Sequence, residues 1–244
     1  MLEFFLKPVG AALVGAALLV FQPGIANAQD AKPKDSETAR MLRTMHGYLK
    51  TNDLAFRSQF STSDKVLGGS RSGIAEFSVR GANLFRVNIS GGGRSELFVS
   101  DGKVLWVYRS ASRKFVKFAA KDSVLGTMYA ATGLMFMPTR ILDAFWTVDY
   151  LETVDEDVRI EPLSDAQVSG RDCRGVRVVR FEDTFDFWLD PAAPHLPCKL
   201  VSRRSDGSSE AVTTHVFTWN TKPDFSAATF QFSPPKGARE ADAF

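Results

Sequence analysis

The sequence predicts an α+β fold in which helices cover one face of a curved antiparallel sheet. Three observations predict it: an amphipathic stretch opens the folded region, alternating segments with regular turn signals follow, and a block rich in helix formers interrupts the alternation before it resumes. The 244 residues are 44% hydrophobic and 24% charged, a composition that suits a folded domain and excludes a disordered chain. Thirty basic side chains against 28 acidic ones leave a net charge of +2, too balanced to imply a nucleic-acid partner.

The N-terminus reads as a leader. Lys7 precedes an apolar run from Val9 to Phe21, then comes a Pro23-Gly24 break and the small-residue triplet Ala26-Asn27-Ala28. These features predict a signal peptide over residues 1–28, cleaved after Ala28, and a single domain over 29–244. The 13-residue run is shorter than the roughly 20 residues that cross a bilayer. The next residue is Gln29 rather than a lipidatable cysteine, so no permanent membrane anchor is expected.

After a polar segment over 29–35, Ser36 is placed to cap a helix. In the stretch that follows, Met41, Leu42, Met45, Tyr48 and Leu49 fall on one face at the 3.6-residue period. From Ala55 the period becomes two. Phe77 and Val79 alternate with Glu76 and Ser78, and Phe85, Val87 and Ile89 with Arg86 and Asn88. Gly91-Gly92-Gly93 and Asp101-Gly102 are the turns, and the segments LFVS, KVLWVY and KFVKF are further strands. Residues 122–146 then read as two short helices broken near Gly133 and Pro138. Strands are expected again at 148–154, Val176–Phe181, Phe185–Leu189, Lys199–Arg203, Val212–Trp219 and Phe230–Phe232, with Asp206-Gly207 a turn.

In an exported chain, Cys173 and Cys198, with no CxxC spacing, predict a structural disulfide rather than a metal or redox site. A strand rising from Cys173 and another returning to Leu189 bring the chain back to the same sheet end at Cys198. Alternate strands lie about 10 Å apart, so the bridge must pass beyond the end of the middle strand.

The candidate catalytic groups carry little. His46, His195 and His215 lack metal-ligand spacing, and Gly69–Gly73 places Arg71 where a serine nucleophile would stand. Glu182, Asp183, Asp186 and Asp190 are candidates for an acid and base pair. Asp186 alternates with Phe185 and Phe187, however, and is expected on the solvent side. No catalytic residue, metal or cofactor is assigned. The five methionines other than Met1, at 41, 45, 128, 135 and 137, all lie in the helical stretches. Two readings stand for them: gap filling in a core, and an adaptable surface for apolar ligands.

The segments AEFSVRGANLFRV and LFVSDGKVLWVY resemble the corresponding block of the periplasmic lipoprotein carriers of the LolA family, and FQFSPPKGARE resembles their C-terminal strand and Pro-Pro-x-Gly turn. The chain resembles still more closely the predicted periplasmic family DUF2092. The resemblance implies an incomplete LolA-like β-barrel whose concave apolar face is covered by helices and holds acyl chains. On this basis the ligand-binding set is Met41, Met45, Phe77, Val79, Phe85, Val87, Met128, Leu134, Met135 and Met137. The carriers bond their lid through an arginine before the Pro-Asn-Leu-Phe of this strand; here the matching stretch is Gly81-Ala82-Asn83-Leu84-Phe85. By parity Gly81 faces inward and Arg80 outward, so Arg80→Ala is expected to be nearly silent.

The resulting expectation is a non-catalytic periplasmic carrier of a hydrophobic ligand, such as a lipid, an acyl chain or a lipoprotein. An envelope-stress sensor that binds an envelope protein is the alternative, and an enzyme using the carboxylates near Asp183 is the third.

Overall fold

A computed structural model describes residues 36–64, 69–132, 140–146, 158–205 and 210–244, all within one folded unit. The leader, the strand expected at 148–154, the Asp206-Gly207 turn and the candidates Leu134, Met135 and Met137 lie outside the described residues. No described helix is long and apolar enough to cross a membrane.

The first helix, α1 (Glu37–Thr51), starts where Ser36 stands, and the Ser36 hydroxyl accepts from Ala39 N at 3.2 Å. Its predicted stripe is buried at Met41, Leu42, Met45 and Leu49, while Tyr48 is half-buried. Six strands follow: β1 (Leu54–Asp64), β2 (Gly69–Arg80), β3 (Leu84–Gly91), β4 (Arg94–Asp101), β5 (Val104–Arg109) and β6 (Lys114–Ala119). Gly92 and Gly93 turn the chain at positive φ between β3 and β4. The Asp101 carboxylate accepts from Lys103 N and Val104 N, each at 2.8 Å, to fold the next turn. Two short helices, α2 (Val124–Thr132) and α3 (Arg140–Trp146), separate this meander from a second one. The latter comprises β7 (Val158–Val168), β8 (Arg171–Arg180), β9 (Asp183–Leu189), β10 (Pro197–Ser205) and β11 (Glu210–Asn220).

All these strands form one sheet in the order β6-β5-β4-β3-β2-β1-β11-β10-β9-β8-β7, antiparallel throughout. The meanders join where β1 pairs with β11, Phe56 facing Trp219 and Phe60 facing His215. The sheet does not close. Laid flat, eleven strands would extend about 50 Å. Yet α1 packs beside β7 at one edge, α2 beside β6 at the other, and α3 touches both helices. Three adjacent helices span only about 30 Å, so the sheet must curl around them.

The core is the layer between helices and sheet. Phe145 of α3 sits 5.9 Å from Phe56 and 5.5 Å from Phe217, ring centre to ring centre. Met128 of α2, Met45 of α1 and the inward residues of both meanders belong to the same buried cluster.

Four expectations are corrected. Phe230–Phe232 is not a strand: Ala227–Phe230 is a 3-10 turn in a strap that crosses the outer face, and the last strand, β12 (Arg239–Glu240), pairs in parallel with β6. Phe232 packs there on Trp106 and Phe115. Gly81 does not continue β2 inward but occupies the β2–β3 turn at φ +59°. Arg80 is outward, but it is engaged: its Nε donates to Asp53 at 2.8 Å, its Nη2 to the Phe225 carbonyl at 3.2 Å, and its guanidinium lies over Phe225 and Phe230. Asp186 is not solvated. It lies on the outer face with a side chain only 2% exposed, because Arg177 and Arg203 from the flanking strands fold over it and donate to both its oxygens. Burial pushes its carboxyl up, and the two arginines outweigh that and hold it below the usual carboxylate range.

The disulfide is present between Cys173 of β8 and Cys198 of β10, with Cα atoms 6.7 Å apart. Leu189, the last residue of β9, pairs with Arg174 on one side and Pro197 on the other, so the bridge passes just beyond the end of that strand. A register shift between Pro197 and Lys199 brings Cys198 into position.

Candidate functional site

The strand alternation builds the inner face. Leu54, Phe56, Phe77, Val79, Phe85, Val87 and Phe98 line it from the first meander, and Val176, Val178, Phe185, Phe187, Leu200 and Phe217 from the second. The helices roof it. Of the sequence-predicted ligand residues, Met41, Met45, Phe77, Val79, Phe85, Val87 and Met128 are buried together in this one cluster. They pack against one another, so the face is filled by its own roof.

Two clefts lie at the end where β9 runs into β10. The larger, about 440 Å³, lies between the β9–β10 connection and β11, and its lining combines Leu196, Phe217 and Trp219 with the polar Arg171, Asp190 and Thr218. That volume is within the range of small-molecule sites. Trp219 is fixed there by its indole N–H, which donates to the Pro197 carbonyl at 2.8 Å. The smaller, about 170 Å³, lies under the start of α1 and is lined by Glu37, Arg40, Met41, Thr44, Arg174 and His195.

The roof is held mainly by apolar packing. His46 of α1 is buried, and its Nε2–H donates to the Ala144 carbonyl of α3 at 3.2 Å. Burial pushes its pKa down to about 3, so the imidazole is neutral at neutral pH. The position matched to the carriers' latch is served differently. The β2–β3 turn ties the entry to α2 through Val124 N to the Ala82 carbonyl at 2.9 Å and Asn83 Nδ2 to the Lys121 carbonyl at 3.2 Å. The Ser123 hydroxyl accepts from Gly126 N and caps that helix.

Sequence reasoning missed a polar group on the inner face. Ser58 and Thr62 of β1, Ser202 of β10, and Thr213 and His215 of β11 are all buried beside Phe60 and Phe217. Ser58 Oγ lies 2.9 Å from His215 Nδ1, and Thr62 Oγ1 3.2 Å from Thr213 Oγ1. Burial lowers the His215 pKa to about 3. Parity carried the signal: His215 shares the alternation of Phe217 and Trp219.

Two of the carboxylates named as acid and base candidates are tied up in structural contacts. Asp186 is bound to two arginines on the outer face, and Asp190 accepts from Ala192 N at 2.9 Å in a turn.

With this geometry established, the family can be read. The model described as "Predicted periplasmic protein (DUF2092)" matches residues 38–243. The chain is a DUF2092 protein. No curated protein matches it. Similar solved structures include the Pseudomonas aeruginosa MucA/MucB complex, at 13% identity, TM-score 0.47 and coverage of 81% of this chain and 62% of that chain. This DUF2092 chain therefore spans about three fifths of the chain it matches there. A LolA superfamily protein of Nitrosomonas europaea matches at 11% identity and TM-score 0.46, over 80% of this chain and 97% of that one. Lipoprotein LppX of Mycobacterium tuberculosis matches at 10% identity and TM-score 0.42, over 76% and 97%.

Proposed function

We propose that this DUF2092 protein is a non-catalytic periplasmic binding or carrier protein for an acyl-bearing hydrophobic ligand, exported with cleavage after Ala28. The observation that carries this reading is the roof. A broad apolar sheet face is covered by three helices held largely by side-chain packing, and a cleft lined in part by Phe217 and Trp219 lies at its end. Isolated helices the length of α2 or α3 are marginal in water, so these two depend on the face they cover. A hydrocarbon chain offers that face the same contacts, and exchanging one for the other requires displacement and no bond chemistry.

The test uses protein expressed with its own leader and recovered from the envelope without detergent. Mass spectrometry of an organic extract should find a bound lipid, and the intact mass should correspond to a chain starting at Gln29. The delipidated protein should take up an apolar fluorophore, and Met128→Glu, folded by circular dichroism, should not, because it places a carboxylate against hydrocarbon. A stoichiometric protein partner with no lipid and no fluorophore uptake would replace this reading with that of an interaction module.

A further inference from the structure

Among the described residues, His215 Nε2 and Ser202 Oγ of the sheet's inner face are buried with no hydrogen-bond partner, as is Nδ1 of His46 on α1 above it. His215 and Ser202 are each 1% exposed. Buried polar atoms are nearly always paired, so two orphans on one face call for a cause. They lie close together, since Leu200 pairs with His215 and Ser202 with Thr213, which makes Ser202 the diagonal neighbour of His215 across β10 and β11. Both belong to the inward parity.

The rest of the group orients them. Ser58, diagonal to His215 across β1 and β11, lies 2.9 Å from Nδ1; in the tautomer whose Nδ1 accepts from that hydroxyl, Nε2 carries the proton and presents a donor. Phe60 stands directly opposite His215 on one side and Gly73 on the other, where an added Cβ would meet the Ser90 carbonyl oxygen first and the Phe60 ring at 2.9 Å. The bare backbone at Gly73 thus gives that ring its place beside the imidazole. From His215, Phe217 and Trp219 continue along the same face toward the larger cleft, four residues or about 13 Å away.

The geometry points to His215 and Ser202 as the subsite for the acyl carbonyl oxygen of the ligand, the tail lying along Phe217, Trp219 and Phe56 toward the cleft. A carbonyl or carboxyl oxygen has the lone pairs to accept from both the imidazole N–H and the hydroxyl, whereas a hydrocarbon leaves both unpaired. This assignment rests on the binding function proposed above and adds which end of the ligand lies where.

Displacement of an apolar fluorophore from delipidated protein tests it, with oleic acid, methyl oleate and a hydrocarbon of the same length as competitors. The carbonyl-bearing competitors should bind about tenfold more tightly than the hydrocarbon. Ser202→Ala and His215→Phe should remove that preference and leave hydrocarbon affinity in place, and the side-chain nitrogen resonance of His215 should shift on binding. Ser202→Ala removes a single atom, so it stands as the test if His215→Phe fails to fold. Tight binding of oleic acid but not of its ester identifies a free carboxylate as the ligand group, and tight binding of both identifies an acyl ester or acid. A carbonyl preference unchanged in both variants overturns the subsite while leaving the carrier reading intact. Failure of every competitor and of the fluorophore to bind the unaltered protein overturns both.

Discussion

On its inner face the sheet is covered by α1, α2 and α3 through Met, Leu and Phe side chains, whereas its outer face is fastened by directional bonds. The Cys173–Cys198 bridge lies on the outer side, beside Trp188 and Val216. The Arg177–Asp186–Arg203 set ties three adjacent outer strands. The C-terminal strap is pinned by Arg80 and by the pairing of β12 with β6. Hydrophobic contact is non-directional, so a helix can leave the inner face and a different apolar body can replace it at similar cost. Ion pairs, hydrogen bonds and a covalent bridge demand particular partners, so the outer face keeps the shape of the sheet, and the exchange of cover proposed above falls to the inner one.

The sharpest way to break this contrast is Phe145→Ala. Its ring touches Phe56, Phe217 and Trp219, so truncation should cost about 3–5 kcal/mol. Hydrogen exchange should rise in α1 and α3 while strands β8 to β10 keep their protection. Uniform loss across the sheet would show that roof and sheet unfold as one.

Acid should also act on the inner face first. His46 and His215 have folded pKa values of about 3, below the usual 6.5, so the unfolded chain takes up protons that the folded one refuses. The stability they lend is complete above pH 6.5 and is lost as pH falls from there toward 3, at on the order of 1 kcal/mol per pH unit for each histidine. Asp186, held below its ordinary value, has the same sign but acts only below about pH 4. Denaturant melts at pH 8 and pH 5 should differ by a few kcal/mol, and a His46→Leu, His215→Leu double variant should lose most of that slope.

Replacing both cysteines by serine should destabilise the whole sheet by about 3 kcal/mol, as expected for a loop of 25 residues. Urea midpoints would measure it, and fluorophore uptake should be retained. Arg80→Ala is the smallest of these effects. Its ion pair with Asp53 is over a third exposed, and with two cation–ring contacts the loss should be about 1–2 kcal/mol, seen as faster exchange across the strap and not in α2.

Local pattern was enough for many of the elements and their faces. The 3.6-residue stripe of α1, the alternation of Phe77 and Val79 or Phe85 and Val87, the turns at Gly92-Gly93 and Asp101-Gly102, and the route of the disulfide past Leu189 are all written in neighbouring residues. β7 escaped, because Pro162, Asp165 and a register shift between Leu163 and Ala166 interrupt its alternation. Parity says which way a side chain points and is silent on what meets it there. Asp186 and Arg80 do point outward, yet one is buried by arginines 9 and 17 residues away and the other is engaged by a strap about 145 residues downstream. His215 points inward, and only the pairing of β1 and β10 with β11 sets Ser58 and Ser202 beside it. Periodicity depends on the chain's own neighbours, so the sequence by itself determines it. Burial, pairing and a candidate subsite depend on which distant segments share a strand edge, and those only the tertiary structure decides.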